Sequence, residues 1–76
     1  MTDEERLAWF EAQAEKAYDE MYDAHSPGDA TARYSDTKEF FRSAITLAQE
    51  LGKPDVAERL ERRLAHVKAV FRSQFT

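Results

Sequence analysis

Apolar residues recur at intervals of three and four along nearly the whole chain, the period of one face of an α-helix. The first series is Leu7, Phe10, Ala14, Ala17, Tyr18, Met21 and Ala24. A second holds Tyr34, Phe41, Ala44, Ile45, Ala48 and Leu51, widened by Phe40 and Leu47. A third holds Val56, Ala57, Leu60, Leu64, Val67 and Phe71, widened by Val70 and Phe75. The first and third series have heptad-like spacing, which predicts shallow crossing angles. Ala14, Ala17, Ala44 and Ala48 are small enough to let the first two helices approach closely.

Local signals set the limits of each helix. Thr2-Asp3-Glu4-Glu5 has the form of a capping box, a hydroxyl at the cap and a carboxylate three residues later. His25-Ser26-Pro27-Gly28-Asp29 breaks the first helix, and Ser26 is placed to cap a second that begins with Pro27. Gly52 suits the left-handed residue that ends a helix, and Pro54 opens the third. Helices are therefore predicted over about residues 3–24, 27–51 and 54–74. Their short connections make successive helices antiparallel neighbours. The expected architecture is all-α, one antiparallel three-helix bundle formed by residues 1–76 as a single domain.

Composition agrees with that reading. Of 76 residues 42% are hydrophobic, but twelve of those are alanine, so bulky side chains suffice for one modest core. Two glycines, two prolines and no asparagine provide little turn material for a many-stranded sheet. The absence of cysteine excludes disulfides, thiolate zinc sites and cysteine nucleophiles. No apolar run approaches the ~20 residues needed to cross a bilayer, and no signal-peptide pattern opens the sequence. A soluble, cytoplasmic protein is expected.

The run Phe41, Ala44, Ile45, Leu47, Ala48, Leu51 and Gly52, followed at once by another amphipathic helix, resembles part of a tetratricopeptide-type hairpin. The likeness covers about a third of the chain. The helices here are longer, no period of about 34 residues is present, Thr37 holds the small-residue position before the aromatic, and Pro54 falls late. The likeness is one of helical-hairpin physics and not of family membership.

Charge is segregated along the chain, and this changes the picture most. Residues 1–26 hold eight acids and two bases, residues 27–52 four and three, and residues 53–76 three and six, within a net charge of −4. An acidic first helix beside a basic third one gains complementary electrostatics of about 0–1 kcal/mol per exposed pair. Arg59, Arg62, Arg63 and His66 form a basic cluster beside the apolar stripe of helix three, a candidate surface for an acidic segment of a partner protein. The acidic total charge, the lack of aromatics between the arginines and the absence of helix-turn-helix spacing argue against nucleic acid.

Trp9 falls on the polar side of the helix-one wheel, roughly opposite Leu7 and Tyr18. It is either an anchor for a partner or packed inside the molecule, with Val56 or Ala57 as candidate neighbours. Glu11, Tyr18, Tyr22 and His25 line the edge of the apolar face and form a candidate small-ligand site, although boundary residues of this kind usually keep their polar tips in water. Arg33 lies on the apolar side of helix two and is expected to snorkel or to pair with a helix-one carboxylate.

Catalysis finds little support. Zincin and phosphate-loop patterns are absent, and the S-x-x-K match at Ser35–Lys38 lacks its partner motifs. No catalytic residue, metal ligand or cofactor is expected. The expected function is a small helical protein–protein interaction module or self-associating protein, with ligand binding as the alternative. Helix three is apolar over about 140° of its circumference, more than two neighbours require. Phe71 and Phe75, together with Phe40 and Leu47, are expected to form a patch that needs covering, and a homodimer is expected to pair those faces.

Overall fold

The computed structural model describes residues 1–75, so the last residue of the expected domain, Thr76, lies outside the described residues. Three helices follow one another, α1 at Asp3–Tyr22, α2 at Pro27–Glu50 and α3 at Pro54–Gln74. Each begins and ends for local reasons. Thr2 Oγ1 accepts from the Glu5 N–H at 3.1 Å, and the Glu5 carboxylate accepts from the Thr2 N–H at 3.3 Å, which closes the capping box. Ser26 Oγ accepts from the Asp29 N–H at 3.1 Å, with Pro27 in the first turn.

The end of α2 is a Schellman motif. Lys53 N–H donates to the Ala48 carbonyl at 2.9 Å and Gly52 N–H to the Gln49 carbonyl at 3.1 Å. That geometry needs a left-handed residue, and Gly52 has φ +69°. Pro54 then starts α3, where a missing N–H costs nothing.

α2 is the central element, antiparallel to both α1 and α3 and packed along both, while the backbones of α1 and α3 hardly approach each other. The molecule is accordingly broad and thin, 38 × 23 × 13 Å, with a Cα radius of gyration of 12.8 Å. Its buried residues form a cluster from all three helices, in which Ala14 and Met21 of α1, Phe41, Ala44 and Ala48 of α2, and Leu60 and Val67 of α3 are fully enclosed. Thr37 is buried beside them, and its hydroxyl donates to the Arg33 carbonyl at 2.8 Å, so among the described residues no buried side-chain polar group lacks a partner. None of the helices is long and apolar enough to cross a membrane, among the described residues.

Two tests follow from this packing. Phe41, 0% exposed at the centre of α2, should cost about 3–5 kcal/mol when replaced by alanine, a large share of the stability of a domain this small; loss of the cooperative transition in urea is the expected result. The glycines should diverge. A Cβ at Gly52 meets nothing within 4 Å but forces an L-residue into positive φ, so Gly52→Ala is expected to destabilise by about 1 kcal/mol. Gly28 sits in the first turn of α2 with only Ser26 Oγ at 4.0 Å from a new Cβ, so Gly28→Ala should be neutral or stabilising by up to about 1 kcal/mol in the same titration.

Candidate functional site

The basic cluster of α3 divides once the helices are packed. α1 and α3 run parallel because both are antiparallel to α2, and their long side chains meet in a repeating register. Arg59 grips Glu11 with Nη1 to Oε1 at 2.7 Å and Nη2 to Oε2 at 3.2 Å. One turn on, Arg63 grips Glu15 with Nε to Oε2 at 2.9 Å and Nη2 to Oε1 at 2.8 Å. Both bridges link residues 48 apart, and Lys53 to Glu4 at 3.3 Å extends the row to the start of α1. The planar arginine fork matches a carboxylate bidentately, so spacing of four on both helices suffices to set the row. Each carboxylate holds its arginine proton more firmly, the hydrogen bond being the largest cause at both Arg59 and Arg63. Arg62 pairs with Glu58 on its own helix, and His66 is exposed. The forks of Arg59 and Arg63 thus close the α1–α3 side of the molecule.

Phe75 and the tyrosines form a second structure, at the end where the α1–α2 turn lies. Tyr34 of α2 stacks on Phe71 of α3 at 3.9 Å between centroids and 5° between planes. Phe71 contacts Phe75 at 5.7 Å, Phe75 meets the edge of Tyr22 at 5.6 Å, and Tyr22 meets Tyr18 at 5.3 Å. Five rings therefore cross the end of the molecule from α2 through α3 to α1. Cations cover both ends of this ladder, Lys38 4.5 Å from the Tyr34 centroid and Arg63 5.0 Å from that of Tyr18. The Tyr18 and Tyr22 hydroxyls share a hydrogen bond of 3.0 Å.

Of the four residues along the edge of α1, Glu11 is held by Arg59 and Tyr18 by Tyr22. Tyr22 is 47% exposed, and His25 lines a separate shallow depression with Pro27, Ala30, Gln74 and Phe75. Among the described residues, no three His, Asp or Glu side chains converge where a metal ion could sit. Arg33 reaches across to Glu20 at 3.1 Å, one of the two arrangements expected of it, and also lies 3.8 Å from Asp29 on its own helix.

Trp9 lies on the opposite side of the α1/α2 layer from the arginine row. Its ring meets the edge of Phe10 at 5.4 Å and of Phe40 at 5.9 Å, and it is still 46% exposed. Its neighbour across the seam is thus on α2, and not Val56 or Ala57 of α3. An open groove of about 400 Å³ continues from Phe10 along α2, lined also by Arg6, Glu39, Arg42, Leu47 and Glu50. A second depression beside Phe10 and Phe40 shares Glu39 and Ser43 with it. Phe40 faces α1 under Trp9 whereas Tyr34 carries Phe71 on the α3 flank, and Leu47 is buried. Phe71, Phe75, Phe40 and Leu47 therefore do not form one patch. The pairing of Trp9 with Phe40, and the presence of Glu39 and Arg42 beside it, depend on how α1 and α2 are rotated against each other. The only sequence hint is that Phe40 and Leu47 widen the apolar face of α2 on one side.

No protein-family model, no curated protein and no solved structure matches the chain.

Burial raises the Tyr18 phenol from 10.0 to about 12, the hydrogen bond and charge of Tyr22 add to this, and the Arg63 guanidinium opposes it. The folded state therefore favours the neutral phenol. Its contribution to stability is complete below pH 10 and is lost as pH rises through about 12. Thermal unfolding is expected to show a falling midpoint across that interval, and Tyr18→Phe should flatten the fall. An unchanged slope in the variant would show that another group drives it.

Proposed function

We propose that the chain is a small helical protein–protein interaction module that works by contact and not by catalysis, with its contact surface centred on Trp9, Phe10 and Phe40. One observation carries this reading: a half-exposed tryptophan rests against two phenylalanine rings, one of which, Phe10, lines an open groove. Tryptophan supplies a large contact area at low entropic cost and is enriched among residues that dominate binding energy. A ring already supported from below loses little further freedom on binding. The other candidate regions offer less. The arginine forks of α3 already hold α1 carboxylates, and Glu11 and Tyr18 are engaged within the molecule.

The test is an affinity capture from native lysate supplemented with an untagged copy of the chain, using wild-type and Trp9→Ala baits of equal helicity. Trp9-dependent retention, with apparent affinity falling about 30-fold or more as for a truncated hot-spot residue, supports the reading. Equal retention by both baits removes Trp9 from the contact surface. Retention of nothing by either bait overturns the interaction module itself.

A further inference from the structure

The charges beside the Trp9–Phe40 contact are arranged differently from those between α1 and α3. Towards α3, Glu4, Glu11 and Glu15 are matched by Lys53, Arg59 and Arg63, and across the α1/α2 seam Arg33 is matched by Glu20. On the Trp9 side, Glu39 and Arg42 are both exposed and both line the groove. Among the described residues, neither forms an ion pair. They stand three positions apart on α2, one on each side of Phe40 in sequence. The groove lining carries Arg6, which also pairs with Asp3 at 3.5 Å, and Arg42 against Glu39 and Glu50, so the lining residues themselves balance on a chain of net charge −4.

That pattern fits one kind of occupant. Two acidic molecules repel at most orientations, and a locally neutral face is where they approach at least cost. A surface with both signs flanking an aromatic centre is also self-complementary under a two-fold axis, as an isologous interface must be. With the axis crossing α2 at the level between Phe40 and Phe41, antiparallel α2 helices bring Arg42 opposite Glu39 of the partner subunit. The same symmetry brings Glu39 opposite Arg42 of the partner subunit. A partner of strongly acidic or strongly basic character would satisfy one of these residues and oppose the other.

We infer that the occupant of the Trp9 surface is a second copy of this chain, paired through antiparallel α2 helices with Trp9 and Phe40 supplying apolar contact and reciprocal Arg42–Glu39 ion pairs setting the register. This rests on the interaction reading above and names its partner. The apolar centre provides most of the affinity, while the charges select the partner and its orientation.

Charge reversal tests it directly on the full chain. Sedimentation equilibrium over a dilution series should show wild type passing from dimer to monomer. Arg42→Glu and Glu39→Arg should each raise the dissociation constant about tenfold or more, because each creates two like-charge contacts. Mixing the two single variants should restore association, since one then carries acids and the other arginines at both positions. The double reversal, Arg42→Glu with Glu39→Arg, should restore it as well. Both positions are exposed, and unchanged helicity confirms that each variant folds. A wild type that stays monomeric at high micromolar concentration overturns the inference, as does a dimer indifferent to the reversals or a mixture that fails to reassociate. If wild type is monomeric while Trp9-dependent capture of a different protein persists, the second-copy inference alone falls. If capture is lost too, the interaction reading falls with it.

Discussion

The close seam between α1 and α2 is the constraint from which the rest of the architecture follows. Ala14 and Ala17 face this seam from α1, Ala44 and Ala48 from α2, and all four are buried. Side chains this small let two helices approach closely, and α1 and α2 form the more extensive of the two helix contacts. α3 packs along α2, burying Leu60, Leu64 and Val67, and its backbone stays clear of α1. The gap between α1 and α3 must then be spanned by long side chains.

Two different chemistries span it. Along the middle of α1 the bridge is ionic, with the arginine forks of α3 on Glu11 and Glu15. Towards the α1–α2 turn it is aromatic, with Phe71 and Phe75 carrying contact from Tyr34 to Tyr22. Arg63 belongs to both, since its guanidinium holds Glu15 and also covers the Tyr18 ring. Exposed ion pairs contribute little individually, so the orientation of α3 depends on the rings and the core, and the arginines fix its rotation and register. The segregation of acids into α1 and bases into α3 thus has a structural use inside the molecule.

This division of labour leaves on the far side of the α1/α2 layer an exposed tryptophan near Glu39 and Arg42, neither of which forms an ion pair among the described residues. Trp9 contributes to neither bridge. It rests on Phe10 and Phe40, and Phe10 lines a groove whose charged residues Glu39 and Arg42 make no ion pair with α3 among the described residues. A third helix occupying that side would have covered it; α3 lies on the other, and Trp9 stays half-exposed.

The amino-acid sequence by itself determined the three helices, their limits to within two residues, their antiparallel order and nearly all of the core. Those features depend on interactions within a few residues, a cap, a proline, a left-handed glycine, or on the period of a single helix. It left Arg33 either to snorkel or to pair with a helix-one carboxylate, and the packing brings it to Glu20 as well as to Asp29 of its own helix. Only the tertiary structure decided which flank of each helix meets which neighbour. A helical wheel gives angles within one helix and is silent on the rotation between two, so the placement of Trp9 on Phe40 and the capture of Arg59 and Arg63 by Glu11 and Glu15 lay beyond it. The ring ladder is of the same kind, since its five members come from three helices and meet only when α3 is displaced towards α2. Helices are local, whereas a surface is a property of how they are rotated together.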